Sequence, residues 1–241
     1  MANELSNADK MKNDFISSVS HELRTPLTAI KGWGETLMSC TPGDVETIAK
    51  GMRVIIGETE RLSSMVEELL DFSRMQSGRL TLVMSKIDIL AEIGEAYIMF
   101  TERAKREGIE IEYHEPEMLS PIFGDKNRLR QVFINVIDNA LKYSNEGDKV
   151  RIESFEQDEF IYIVVSDTGC GISPQDLPNV KNKFFKGNLS RRGSGIGLAV
   201  ADEIMTLHGG ALLVQSELGV GTTVTIKIPV INKLPGELPT A

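Results

Sequence analysis

Apolar residues in the first third of the chain recur at alternating intervals of three and four. One series runs Ile16, Val19, Leu23, Pro26, Ile30, Trp33 and Leu37; a second runs Ile48, Met52, Ile55, Thr59, Leu62, Val66, Leu69 and Ser73. This is the seam spacing of coiled-coil and bundle helices. Between the series, Thr41-Pro42-Gly43-Asp44 supplies a turn and a capping Asp, so the pattern predicts a helical hairpin that ends at Gln76-Ser77-Gly78. A hairpin with one apolar stripe per helix cannot enclose a core alone, whereas two hairpins in a four-helix bundle satisfy both stripes. A homodimer is the expected state; packing of the hairpin against the rest of its own chain is the alternative.

Past Gly78 the period changes. Segments 80–83 and 109–113 read as strands flanking a helix at 90–106, and Asp125 caps a helix running through Lys142. Segments 150–155 and 160–166 form an antiparallel pair around Gln157-Asp158-Glu159. A helix at 196–207 and strands at 211–216 and 222–229 complete an α+β layer of segregated helices and mostly antiparallel strands. The expected boundaries are a helical hairpin at 1–77, an α+β domain at 78–232 and a tail at 233–241.

Composition narrows the class. The chain has 241 residues, 41% hydrophobic and 25% charged, as in soluble globular proteins. A net charge of -9 argues against a nucleic-acid partner, because phosphate backbones call for a basic surface. Cys40 and Cys170 are far apart and lack metal-ligand spacing, which fits a reducing cytoplasm. The longest apolar run, 160–165, is far short of the ~20 residues that span a bilayer. The chain is expected to be soluble and cytoplasmic, either by itself or as the cytoplasmic portion of something longer.

Candidate chemistry begins with Ser20-His21-Glu22-Leu23-Arg24-Thr25-Pro26. Counting the heptad forward at about 100° per residue puts His21 opposite the apolar seam. Thr25 lies one turn along the same face, and Glu22 is the immediate neighbour. Pro26 removes a helical hydrogen bond to the carbonyl of Glu22, so a kink is expected just after the histidine.

Glycine is concentrated in Asp167-Thr168-Gly169-Cys170-Gly171-Ile172, after a strand, and in Gly193-Ser194-Gly195-Ile196-Gly197-Leu198, opening a helix. Both are places where backbone can approach a ligand, and a glycine turn at a helix N-terminus suits phosphate. The dinucleotide fingerprint fails, since Leu198 stands where its third Gly belongs, and there is no Walker-type Gly-Lys-Ser. Asn135 and Asn139 share a helix face with Lys142 one turn on, opposite Val132, Phe133, Val136, Ile137, Ala140 and Leu141. Neutral oxygen donors suit Mg²⁺ with phosphate, with Lys142 facing phosphate; an Asn pair bonding to neighbouring backbone is the alternative.

Taken together these segments resemble the sensor histidine kinases of two-component systems, in which a dimerisation and phosphoacceptor domain precedes an ATP-binding fold shared with gyrase and MutL. The resemblance covers roughly 9–230. Residues 20–26 resemble the family's H box, 135–144 its N box, 167–171 its first glycine box and 193–198 its second. Leu207-His208-Gly209-Gly210 and Gly219-Val220-Gly221-Thr222 also match, in the expected order. The implied fold is an α-helical hairpin, dimeric as a four-helix bundle, followed by an α+β two-layer sandwich that binds ATP.

By that resemblance Asn139 helps hold Mg²⁺ and Asn135 assists. Asp167 accepts from the adenine amino group, and Lys142 and Tyr143 line the nucleotide. The glycine-box residues Gly169, Gly171, Ile172, Gly195, Gly197 and Leu198, together with Thr222, complete the nucleotide site. Lys186, Arg191 and Arg192 fall on a lid between the boxes. One departure stands out: the family usually has an aromatic at the place of Lys181, and only Phe184-Phe185 match.

The implied reaction is transfer of the γ-phosphoryl of MgATP to His21. A neutral imidazole is available at pH 7, and Glu22 acts as general base or orienter. Transfer then proceeds to an aspartate of a response regulator docked on the bundle, with Thr25 placed to orient water in a reverse phosphatase reaction. Gly78 and its neighbours are hinge candidates. A gyrase-like ATPase or an anti-sigma-factor kinase would share the last two thirds without the hairpin, and a degenerate nucleotide-binding dimeric scaffold would keep both parts without phosphotransfer. His114 and His208 read as structural, with His208 at a helix end that favours a cation.

Overall fold

A computed structural model describes residues 2–41, 43–76, 80–182, 185 and 195–230. The chain divides into two compact units, Met1–Gly78 with Arg192–Ile196, and Arg79–Arg191 with Gly197–Ala241. The expected tail at 233–241 lies outside the described residues, as do Ser77 and Gly78.

The first unit is a helical hairpin of α1 (Ala2–Met38) and α2 (Val45–Gln76). Asp44 caps α2 as expected, its carboxylate accepting from the Thr47 amide at 3.1 Å. Helix α1 continues through Pro26. The helices approach closely at Gly51, where an added Cβ would lie 2.8 Å from Trp33 Cε3 and 2.9 Å from Leu37 Cδ2. Among the described residues the buried positions on α2 are Gly51, Met65 and Asp71; the first two fall one residue before the predicted seam positions Met52 and Val66, which are 48% and 46% exposed. Ile48, Ile56 and Leu70 extend this exposed apolar stripe along α2.

The second unit is a five-stranded sheet with helices packed on it. Its order is β2 (Glu110–His114), β4 (Lys149–Gln157), β5 (Phe160–Asp167), β7 (Gly221–Pro229), β6 (Ala211–Glu217). Only the β2–β4 pair is parallel. Burial alternates along β4 and β5, as period-two apolar patterning requires. Helices α3 (Ile89–Glu107), α4 (Lys126–Tyr143) and α5 (Gly197–Leu207) pack on β2, β5 and β6 respectively, with α4 between the other two. The β4–β5 hairpin turns at Asp158 and Glu159, both left-handed with φ of 51° and 63°, the conformation that matches strand twist in a two-residue turn.

Two expectations are corrected. Segment 80–83 is not a strand; the extended pairing comes later, at β1 (Ser85–Ile87) against β3 (Ile122–Gly124), a strand too short to leave a periodic signal. The Val83 amide instead donates to Asp125 Oδ2 at 2.8 Å, so it is spent on a side chain rather than a ladder. His208 is not a helix-end cation. It is 4% exposed, its Nε2 accepts from the Asp125 amide at 2.9 Å, and its Nδ1–H donates to the Ile204 carbonyl at 2.8 Å. Burial pushes its pKa below the ordinary histidine value, against the pull of the Ile204 carbonyl and the Asp125 charge.

Candidate active site

The second unit gathers its candidate residues around the C-terminal half of α4. Asp125 caps this helix, accepting from the Asn127 and Arg128 amides at 3.1 Å each. Its apolar face, Leu129, Val132, Phe133, Val136, Ile137, Ala140 and Leu141, is buried, which leaves Asn135, Asn139 and Lys142 half-buried on the other side.

The two asparagines differ in what they do. Asn135 Nδ2 donates to the Gly197 carbonyl at 3.0 Å and so fixes the first residue of α5 against α4. Asn139 makes no side-chain hydrogen bond among the described residues, so its amide oxygen is available to a ligand. The Lys142 ammonium lies 4.9 Å from the centre of the Tyr143 ring, and the Tyr143 carbonyl accepts from the Cys170 amide at 3.1 Å.

Asp167 ends β5 beside this helix. Its Oδ1 accepts from the Gly169 amide at 3.0 Å and the Thr222 amide at 3.2 Å, while Oδ2 has no hydrogen bond among the described residues. Burial raises its pKa to about 6, outweighing the two amide bonds that favour the anion. The fixed Oδ1 orients the carboxylate, leaving Oδ2 as an acceptor for an incoming donor.

The glycines of this region are required by the protein's own backbone, which passes close to each of them. An added Cβ at Gly169 would lie 2.3 Å from the Tyr143 carbonyl oxygen. At Gly171 it would lie 2.0 Å from that of Glu217, and at Gly221 2.0 Å from that of Asp167. Gly171 and Gly221 also take φ of 65° and 144°. Three loop segments thereby close on one another around Asp167.

Ser216 is a member that sequence reasoning missed. Its hydroxyl accepts from the Ile172 amide at 2.8 Å and lies 2.8 Å from the Gly221 carbonyl oxygen and 2.9 Å from Thr222 Oγ1. The signal was its cross-strand pairing with Thr222, which is invisible until the β6–β7 register is known. Gly195 has φ of 69°, whereas Gly197 needs no special conformation and would meet Asn135 only at 3.5 Å. Leu198 follows within α5. Lys186, Arg191, Arg192 and Phe184 lie outside the described residues.

In the first unit His21 lies on α1, its side chain outside the described ones; Glu22 is half-buried and Thr25 exposed.

Residues 11–78 match the family profile "His Kinase A (phospho-acceptor) domain", and residues 124–232 match "Histidine kinase-, DNA gyrase B-, and HSP90-like ATPase". A solved structure of the mycobacterial sensor histidine kinase MprB is 32% identical, covers 61% of this chain and 97% of its own, and superposes with a TM-score of 0.52. The chain belongs to the sensor histidine kinases. Sensor protein SrrB of Staphylococcus aureus (strain N315) is 35% identical over 233 residues, 95% of this chain and 40% of the relative. This histidine kinase chain thus spans about 40% of the length of the curated relatives it matches. Histidine kinase ThkA, solved in complex with the response regulator protein TrrA, is 25% identical with a TM-score of 0.67, covering 95% of this chain and 64% of that one. No helix among the described residues of the kinase is long and apolar enough to cross a membrane.

Proposed function

We propose that this chain is an ATP-dependent protein histidine kinase that phosphorylates His21 and passes the phosphoryl group to an aspartate of a response regulator. The observation that carries the reading is Asp167, a partly desolvated carboxylate held at Oδ1 by two backbone amides with Oδ2 left to accept, on the rim of a helix bearing a free asparagine amide. An amino group of adenine fits such an acceptor. The flanking Tyr143 ring and the Lys142 ammonium suit base and phosphate respectively.

Asn139 is the residue that would hold Mg²⁺, because its neutral amide oxygen suits a hard cation that takes its other ligands from phosphate and water. When bound, that ion neutralises phosphate charge. Gly169, Gly171, Ile172 and Thr222 shape the base side of the site, and Gly197 and Leu198 the phosphate side; Gly195, Lys186, Arg191 and Arg192 are assigned to the nucleotide by the family resemblance alone. Asn135 acts indirectly, by holding Gly197.

Phosphoryl transfer needs positioning and charge neutralisation more than covalent help. One nitrogen of neutral His21 donates its hydrogen to Glu22, which sets the tautomer and takes the proton. The other nitrogen attacks the γ-phosphorus, the N–P bond forms as the bond to the ADP oxygen breaks, and ADP leaves. The regulator's aspartate then displaces the imidazole, and Thr25 orients water for the reverse phosphatase reaction. ThkA, co-crystallised with a response regulator protein, supports this choice of partner.

The working unit is a homodimer, supported by the exposed apolar stripe of α2, which a second hairpin would cover in a four-helix bundle. The domain boundaries are a hairpin at 1–77, a catalytic domain at 78–232 and a tail at 233–241, and the chain acts in the cytoplasm, either by itself or as the cytoplasmic portion of a membrane-anchored sensor. A gyrase-like ATPase is disfavoured because it needs no phosphoacceptor hairpin, and residues 11–78 match that domain.

The test is incubation with γ-labelled ATP and Mg²⁺, comparing the native chain with His21→Gln. Acid-labile label on the native chain alone is expected. Acid-stable label, or label that persists on the variant, overturns the reading.

A further inference from the structure

The position that departs from the family pattern, Lys181, is tied at two points. Its ammonium lies 2.9 Å from Asp202 Oδ1 on α5 and donates to the Leu212 carbonyl on β6 at 3.2 Å. The segment it closes runs from the first glycine box through a chain of turns. Ser173 Oγ bonds Asp176 Oδ2 at 2.9 Å, the Asn179 amide donates to the Asp176 carbonyl at 2.8 Å, and the Asn182 amide donates to the Asn179 carbonyl at 2.8 Å.

None of residues 173–182 is fully buried; Leu177 and Val180 are half-buried and the 177–179 turn touches β6, so apolar packing holds this segment only in part. At its near end the Ile172 amide is fixed by Ser216. At its far end the fastening is Lys181. The partner helix, α5, begins with Gly197 of the second glycine box, itself held by Asn135. A polar strut from Lys181 to Asp202 and Leu212 therefore sets the spacing between the segment leaving one glycine box and the helix that opens with the other.

We propose that Lys181 is a positioning residue for nucleotide binding. It acts through Asp202 and the Leu212 carbonyl, pre-ordering the walls of the nucleotide site so that less ordering remains to be done when ligand arrives. The inference rests on the nucleotide-binding reading above. Its signature is a loss of affinity with chemistry intact, since no atom of Lys181 is required at the transferring phosphoryl group.

The test uses the whole chain and the non-hydrolysable analogue AMPPNP with Mg²⁺, followed by titration calorimetry, and ATP dependence of autophosphorylation. Absence of binding by the native chain would overturn the nucleotide reading itself. Given native binding, Lys181→Met is expected to weaken AMPPNP about three- to tenfold, the scale of one part-exposed ion pair and one hydrogen bond. The ATP KM should rise by a similar factor and kcat should stay within about twofold. Asp202→Ala should match it, the double variant should lose little more than either alone, and Lys181→Arg should restore most of the affinity. Native-like binding by Lys181→Met, multiplying losses in the double variant, failure of Lys181→Arg to rescue, or a fall in kcat at unchanged KM would each overturn the proposal.

Discussion

The backbone amide of Asp125 donates to Nε2 of His208 over 2.9 Å, across 83 residues of sequence. It joins the N-cap of the helix bearing Asn135 and Asn139 to the end of the helix that opens at Gly197. Because a backbone amide can only donate, the ring must accept there, and it is neutral with its proton on Nδ1. His208→Ala would leave the Asp125 amide buried without an acceptor, at about 1–3 kcal/mol, and create a cavity besides. Urea denaturation should report that loss, and His208→Gln, whose amide oxygen can accept, should recover part of it.

Two groups give opposing pH dependences. His208 has a folded pKa below its ordinary 6.5, so the stability it contributes is present above that value and lost as pH falls through the folded one. Asp167 is raised from 3.8 to about 6, so its charged form opposes folding, and stability is lost as pH rises across that window. Asp167→Asn should therefore show a steeper fall in stability on acidification than the native chain, measured by denaturation midpoints between pH 4 and 7. An unchanged profile would remove Asp167 from the titration.

Nucleotide binding should follow Asp167 differently. Ionised Oδ2 accepts from an amino group and a protonated carboxyl does so less well, so affinity for AMPPNP should fall as pH drops below about 6. Asp167→Asn keeps an oxygen for the Gly169 and Thr222 amides but replaces the other acceptor with a donor. Loss of a hydrogen bond to a charged group, about 1.5–3 kcal/mol, corresponds to roughly ten- to over a hundredfold weaker binding. Calorimetry of the variant should also show the acid sensitivity gone.

Two glycines with left-handed backbone separate conformation from contact. At Gly219, φ is 81° and an added Cβ meets nothing within 4 Å; at Gly171, φ is 65° and the Cβ would lie 2.0 Å from the Glu217 carbonyl oxygen. Gly219→Ala should cost roughly 1–2 kcal/mol, the left-handed penalty alone. Gly171→Ala must also push apart two loops that frame Asp167, so it should cost clearly more and abolish AMPPNP binding. Equal melting temperatures for the two variants would contradict this.

The exposed stripe of α2 predicts the oligomeric response. Met52→Glu combined with Val66→Glu places charges where a second hairpin would pack. The double variant should shift from dimer to monomer by light scattering while the ATPase-type domain keeps its melting transition.

Much of the fold was legible because it is local. The heptads of α1 and α2, the Asp44 and Asp125 caps, the amphipathic α4 and the β4–β5 hairpin each depend on residues a few positions apart, and the structure places them close to where the pattern does. The ordered boxes also marked Asp167 and the asparagine helix as a site. Local pattern could not distinguish Asn135 from Asn139, since both lie on one face; Gly197, 62 residues away, engages only the first.

Sequence alone determined where the amphipathic helices and turns fall and which side chains are candidates for chemistry, because periodicity and turn preference act over a few residues. Tertiary structure decided how those groups are used. Neutral His208, the diversion of Val83 to Asp125, the Ser216 junction and the Lys181 strut all join elements distant in sequence. The protonation or hydrogen-bonding role of each is set by burial and by which backbone groups happen to face it, and neither exists until the sheet register and helix packing are fixed.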